Sequence, residues 1–548
     1  MKKFLIALCS TFGVALVAGW GCNFLLDLEE CDSDGDCPGE ARCTSDGLCE
    51  ADPSGEGECS DVDDCADGEA CIDEVCVPEE QPETCESSDD CPGDQECNEL
   101  GVCQEPSSLL SGPCDQAAGD VDDDDAFVIG VLLPLSGPEA GFGQPLFNAI
   151  NIARSDFNSI GGVDGREVAL LACDTQGQDG LAMEGAEHLV DVGVQAIIGP
   201  DYSSQTIDIA NSLTIDEEVV LVSPSATAAA VPSDPFVWRT VAPDTVQGEA
   251  LGRIIQYILD ERPHYAGLED GDFPETSSLT LLRRSDDPYA QGLREAVTTQ
   301  LDSDLSGDSD RFSVRAYANE AAGQTPDYPE VAADVVAATD EDGFGPDVIG
   351  IIGAAEAWQI ADFLTDEFDN DPLFVFADAA RNTQRAGEAS DSLIGRIWGT
   401  APQNVGDRDY TPYNSFRFRY MESFPGDDPN DLQFVANAYD ALYILALAAA
   451  AEGFDGPSIA DGLRRLSDPD GPSFSPNPGD AQSAMSTLQG GQDINFRGAS
   501  GELNFDDTGS PQASPTVLWC FDGQGLPEEG IIVDEELQFT PLSCDLHP

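Results

Sequence analysis

Two short apolar runs, Val194 to Ile198 and Val219 to Val222, flank a segment in which Ile207, Ala210 and Leu213 recur at near-helical spacing. Runs this short and continuously apolar predict strands covered on both faces. Joined by a helix, they predict a parallel pair with a right-handed crossover. Each run ends in a small polar turn, Gly199-Pro200-Asp201-Tyr202-Ser203-Ser204 after the first and Ser223-Pro224-Ser225-Ala226-Thr227 after the second. In open α/β sheets, ligands bind in the crevice at the carboxyl ends of the strands, and a serine at a helix start adds a hydroxyl to unpaired backbone N–H groups. That combination suits a small anion such as a carboxylate. Taken singly, Ser203 also reads as an N-cap and Ser223-Pro224 as a turn.

The alternation extends in both directions. Upstream come an apolar strand at 126–134, a glycine-punctuated loop at 135–143, a helix from near Pro145, a strand at 167–173 and a helix at 181–192. After Trp238-Arg239-Thr240 it restarts, with helices at 247–259, 289–301, 329–338 and 357–368 and strands at 278–282, 312–316, 348–352 and 374–376. A long helix at 434–451 carries a core-facing apolar stripe, and one more strand is expected at 516–521. The pattern predicts an α/β protein with two doubly wound parallel sheets. A chain of 548 residues is also too long for one core. Asp-, Gly- and Pro-rich stretches at 261–276 and 303–310 read as surface insertions.

The charge balance, 22 basic against 106 acidic residues for a net −84, repels nucleic acid and anionic headgroups. It is compatible with a salty medium that screens dense like charge. Met1-Lys2-Lys3 followed by the apolar stretch Phe4 to Trp20 reads as a secretory signal over 1–21. Cys22 at its end resembles a bacterial lipidation site, although Gly19-Trp20-Gly21 departs from the usual residues before it. Ordinary cleavage and an uncleaved anchor stay open.

Of the 18 cysteines, 12 fall into three blocks of four, at 31, 37, 43, 49, at 59, 65, 71, 76 and at 85, 91, 97, 103. Blocks with few aliphatic and no aromatic residues need covalent staples, so residues 22–103 are expected to be a disulfide-rich triple-repeat stalk. Near-regular spacing without CxxC pairs or nearby histidine argues against zinc. Asp32-Ser33-Asp34-Gly35-Asp36 lacks the turn glycine and ordered glutamate of a calcium loop. The blocks resemble C-x5-C modules of secreted proteins and, distantly, the cysteine-rich region of the Dickkopf family. Residues 104–125 read as an acidic linker, and Cys520 and Cys544 as a pair by proximity.

In order and at matching spacing, VLLPLSGPEAGFG, GGVDGREV, ACDTQ, IIGPDYSSQT, VSPSAT, WRT followed by Asp244, and NFRGASGELNFDDTG resemble the type I periplasmic binding proteins. The likeness is to their leucine/isoleucine/valine-binding branch, over about residues 126–525. It implies two lobes joined by three hinge crossings, expected near Pro243, Pro402 and Ser514. Lobe one is then 126–243 plus 403–513, and lobe two 244–402 plus 514–548. It also implies that Ser203 and the backbone N–H groups of the two turns, with Ser225, Ala226 and Thr227 in the second, hold a ligand carboxylate. It implies too that the Ser225 carbonyl and the Thr227 hydroxyl help to accept its ammonium. Asp378, one methylene shorter than the family glutamate, takes the ammonium, and Tyr289 closes over the ligand. Phe142 matches an aromatic against the ligand side chain, and Ala355 replaces a second one, which puts a branched aliphatic ligand in doubt.

The expected function is capture of an amino acid or related zwitterion by cleft closure for an ABC importer, from a lipid anchor in the cell envelope. The alternatives are a sensor or envelope regulator of the same fold, and an adhesion protein acting through the stalk. No cofactor, metal or catalysis is expected. The three histidines, His188, His264 and His547, fall in no motif, and Asp174 reads as a turn residue rather than an acid catalyst.

Overall fold

The computed structural model divides into two units, residues 1–105 and 106–548. It describes residues 109–539 apart from 266–277, 308–310, 338–344, 366, 369–370, 403–409, 512–515, 527 and 534–535, and before residue 109 only short strands. The signal segment, Cys22 and Cys544 lie outside the described residues, as does the expected crossing at Ser514.

In the first unit each cysteine block contains one small antiparallel pair, and the third and fourth cysteines of the block stand opposite each other: Cys43 with Cys49, Cys71 with Cys76, Cys97 with Cys103. The sequence repeat is thus also a backbone repeat.

In the second unit the first sheet is formed by β1 (Gln116–Ala118), β2 (Phe127–Leu133), β3 (Val168–Asp174), β4 (Ala196–Ile198), β5 (Val220–Ser223) and β6 (Val237–Arg239), in the order β6-β5-β4-β2-β3-β1. All its pairs are parallel except β1 with β3. One face is covered by α1 (Ala140–Ser159), α10 (Thr411–Ser423), α11 (Val435–Glu452), α12 (Gly456–Leu463) and α13 (Pro478–Gln489). The other carries α2 (Asp179–Asp191) and α3 (Ser203–Ile209), which continues into a π-helical turn at Ala210–Thr214.

Residues 104–125, expected to be linker, are in part a piece of this lobe. Cys114, Ala118 and Val121 are buried, β1 lengthens the sheet, and a disulfide joins Cys114 to Cys173 of β3. His188 holds the same segment through its ring nitrogens, to the Leu109 carbonyl at 2.6 Å and the Ser111 hydroxyl at 3.2 Å. The acidic run Asp122 to Asp125 masks, in sequence, a stretch that its neighbours anchor.

The second sheet is formed by β7 (Leu279–Arg284), β8 (Phe312–Tyr317), β9 (Val348–Ile352), β10 (Leu373–Phe376) and β11 (Ile397–Pro402), which run parallel. It is mixed rather than purely parallel. β14 (Thr516–Cys520), β15 (Glu528–Val533) and β16 (Glu536–Phe539) extend it antiparallel from β11. A two-strand ribbon, β12 (Ser473–Phe474) with β13 (Asn495–Phe496), belongs to neither sheet. The cores on the faces of the second sheet include α4 (Thr245–Tyr265) and α5 (Pro288–Gln300) on one side, and α7 (Tyr328–Val336) and α8 (Glu356–Leu364) on the other. The expected insertion at 303–310 opens with a helical turn, α6 (Ser303–Ser306), whose Leu305 is buried because it joins the α4–α5 core.

The chain passes from one set of cores to the other between β6 and α4, between β11 and α10, and between Phe505 and β14. These are the two doubly wound lobes the alternation predicts, and the carboxyl ends of their parallel strands carry the residues considered next.

Candidate functional site

Three turns of the first lobe build one wall of a cleft. After β2, the Asp174 carboxylate ties the loop down. It accepts the N–H groups of Leu135 at 2.8 Å, Ser136 at 3.1 Å and Gln176 at 3.0 Å, and the Ser136 hydroxyl. Asp174 is therefore the turn residue expected, and the loop it holds presents Glu139 and Phe142. Gly143 follows because any Cβ there would lie 2.2 Å from the Pro134 carbonyl oxygen. After β4, Gly199 takes φ 107° and leaves no room for a Cβ against the Leu132 carbonyl, so the turn with Asp201, Tyr202 and Ser203 packs onto β2. After β5, the Ser223 hydroxyl donates to the Pro200 carbonyl at 2.6 Å, and the Ser225 hydroxyl donates to the Asp201 carbonyl at 2.9 Å. The two turns form one surface.

The second lobe supplies the facing wall. Arg284 ends β7, Asp287 caps α5 by accepting the Tyr289 N–H at 3.0 Å, and Asp378 follows β10. The cleft between, about 530 Å³ including space open to solvent, is lined by Phe142, Ser203, Ser225, Thr227, Tyr289 and Asp378, all of them candidates from sequence. It is also lined by Glu139, Asp201, Tyr202, Arg284, Asp287 and Phe434, which were not. Two candidates fall elsewhere. Ala226 is fully buried behind the turn, its N–H donating to the Ser223 hydroxyl at 3.0 Å, so that amide is already used. Ala355 lines an adjoining hollow that shares Glu139, Tyr202 and Arg284 with the cleft, while its neighbour Ala354 takes the place in the cleft wall.

The polar atoms have distinct capacities. Ser203 accepts the Ala228 N–H at 3.1 Å, leaving its own proton to donate, and no side chain caps the N-terminus of α3. Tyr289 donates its hydroxyl proton to Asp378 at 2.5 Å. Behind Thr227 lies Asp244, whose carboxylate oxygens are buried without a hydrogen-bond partner. Burial raises the Asp244 carboxyl well above the ordinary range and the nearby Asp378 raises it further. Asp378 is raised by its own burial and partly restored by Tyr289. The Thr227 side chain and Arg239 pull the Asp244 carboxyl back down.

Arg284 is committed elsewhere. It pairs bidentately with Glu356 at 2.6 and 2.7 Å, and the Tyr317 hydroxyl donates to the same carboxylate at 2.8 Å. Its guanidinium lies 5.3 Å from the centre of the Tyr202 ring on the opposite lobe. A further contact between lobes is the Asp179 N–H donating to the Ala321 carbonyl at 2.8 Å.

Asp244, Glu139, Asp201 and Tyr202 stand inside the quoted motifs, so a signal existed in position but not in role; Asp287 stands outside them. Phe434 left none. It enters α11 with φ 58°, a conformation rare for a bulky residue, and meets Phe142 edge to face at 6.1 Å between ring centres.

Two α/β lobes with a polar cleft between them are the architecture on which comparison with known proteins bears. Residues 127–493 match the family model described as periplasmic binding protein, more than half of the chain. The chain belongs to the type I periplasmic binding proteins, a solute-binding and non-enzymatic class.

Among relatives, it is 25% identical over 389 residues to the chemotactic signal transduction system substrate-binding protein BasB of Halobacterium salinarum, covering 69% of this chain and 82% of that one. It is 30% identical over 137 residues to the Leu/Ile/Val-binding protein BraC3 of Rhizobium johnstonii, covering 24% of this chain and 37% of that one. Among solved structures, a leucine-binding protein of Thermotoga maritima shares the fold with TM-score 0.56 and 21% identity, over 74% of this chain and 99% of that one. The branched-chain amino-acid transporter substrate-binding protein of Streptococcus pneumoniae, in complex with isoleucine, does so with TM-score 0.54 and 18% identity, over 76% of this chain and 100% of that one.

Proposed function

We propose that this chain is an extracytoplasmic receptor that captures an amino acid or closely related zwitterion by closing its two lobes on it. Anion-favouring and cation-favouring groups stand on opposite walls of one cleft. The free proton of Ser203 and the uncapped start of α3 belong to the first lobe, and Asp378 with Tyr289 to the second. The ligand carboxylate goes to the former and its ammonium to Asp378, with Asp244 behind. Charge-assisted hydrogen bonds contribute roughly 1.5–3 kcal/mol each, enough for several together to set the affinity. Because the two ends of the ligand touch different lobes, binding favours the closed form by the difference in affinity between closed and open states.

Calorimetry against the amino acids tests this. Asp378→Ala should weaken the best ligand by roughly 10- to 150-fold. Unchanged affinity removes Asp378 from the site.

The relatives named for branched-chain amino acids support delivery to an ABC importer. BasB, which aligns with most of this chain, supports a second reading in which a sensory transducer receives the closed form. Deleting the gene separates them. Loss of uptake of the bound amino acid means import, and a lost behavioural response with uptake intact means sensing. The chain is anchored in this proposal through a lipid on Cys22, and Cys22→Ala should release it from the membrane fraction.

A further inference from the structure

The ammonium and carboxylate ends leave one charged group in the cleft unused. Asp201 is 3% exposed, lines the cleft, and neither of its carboxylate oxygens meets a donor in hydrogen-bonding geometry. The Ser225 hydroxyl beside it is spent on the backbone carbonyl of the same residue. A buried, unmet pair of acceptors is expensive unless something that binds there supplies the donors.

The charge count points the same way. Glu139, Asp201, Asp287 and Asp378 line the cleft against one guanidinium, and that one, Arg284, is already paired with Glu356. An amino acid with an apolar side chain is neutral overall and would meet Asp201 with hydrocarbon. It would leave the buried carboxyl's oxygens unmatched.

We propose that the ligand carries a second cation on its side chain, an ammonium or guanidinium as in a diamino or guanidino acid, and that Asp201 is the specificity residue that accepts it, with Glu139 adding to the negative field. This rests on the cleft holding an amino acid. Burial pushes both Asp201 and Glu139 up to about 7; at Asp201 the nearby backbone N–H groups of Asp201 and Tyr202 pull the other way while Glu139 adds to the rise, and at Glu139 so do Glu356 and Glu320. Arg284 opposes both shifts and Arg385 that of Glu139. A cationic ligand displaces the proton each carboxyl holds, so its affinity rises with pH up to about 7 and then levels, and binding releases protons.

The test is calorimetry on the full chain with L-lysine, L-ornithine, L-arginine, L-leucine, L-glutamine and 1,5-diaminopentane. Wild type is compared with Asp201→Leu and with Asp201→Asn, which keeps the shape if the leucine variant does not fold. A basic amino acid should bind at least about tenfold tighter than leucine or glutamine, and either variant should erase that preference. Leucine or glutamine bound as tightly as every basic amino acid, or a preference unmoved by both variants, overturns the inference and leaves amino-acid capture standing. Diaminopentane binding as tightly as lysine overturns amino-acid capture itself, because that ligand has no carboxylate. Absence of binding by all six overturns the inference and leaves capture to the full amino-acid panel.

Discussion

Burial pushes the Asp201 and Glu139 carboxyls up to about 7, against the ordinary carboxylate range in the unfolded chain. The folded protein therefore holds more protons than the unfolded one between those limits. Stability contributed by this difference is fully present below the unfolded value and is lost as pH rises through about 7. The thermal midpoint of ligand-free protein should fall by roughly 2–5 °C from pH 5 to pH 8 at fixed salt. Asp201→Asn should flatten part of that slope, and a rising midpoint over the same window would contradict the assignment. Asp440 teaches a different lesson about a buried acid. It accepts the N–H groups of Ala499 and Ser500 and the Ser500 hydroxyl, all at 2.6–2.7 Å, so it fastens the Gly498–Gly501 loop onto α11 and has no part in the cleft.

At the scale of elements, the strand–helix alternation was legible because the apolar period is local. β9 occupies the span expected, Val348–Ile352, and β3, β7 and β10 fall within a residue or two of theirs. Missed elements have a shared cause. α10 carries its buried Tyr413, Phe416 and Tyr420 among polar and charged residues without a clean apolar stripe, and its burial depends on α11 and α1, far away in sequence. β1 is three residues long and belongs to the sheet through β3 and a disulfide. That disulfide closes a loop of 59 residues, so replacing Cys114 and Cys173 together by serine should lower unfolding stability by roughly 2–4 kcal/mol in denaturant titrations. Ligand affinity should stay near wild type, because neither cysteine lines the cleft.

Over the whole molecule, a net charge of −84 spread on a chain with 22 basic residues makes self-repulsion a term of the fold. The basic groups are drawn into specific places, such as Arg284 with Glu356 and Arg419 with the buried Asp156, which Tyr439 and Tyr443 also reach. Raising salt from 0.1 to 2 M should raise the thermal midpoint, since screening shortens the reach of the surface charges while the buried pairs are little affected. A midpoint that falls with salt would show that the surface pairs stabilise more than the like charges destabilise. Ligand should lower the radius of gyration seen by small-angle scattering if closure accompanies binding.

The strand–helix alternation and the polar turns at Ser203 and Ser225 follow from residues near one another in the chain, where spacing and turn chemistry carry the information. The two-lobe plan and Phe142, Tyr289 and Asp378 come instead from the order of motifs that resembles the family. Tertiary structure alone decided that both Asp201 carboxylate oxygens are buried outside hydrogen-bonding geometry, that burial and Asp378 together raise the Asp244 carboxyl, and that Arg284 is claimed by Glu356. Charge state and pairing depend on neighbours in space, and here those neighbours, such as Arg284 and Glu356, stand far apart along the chain.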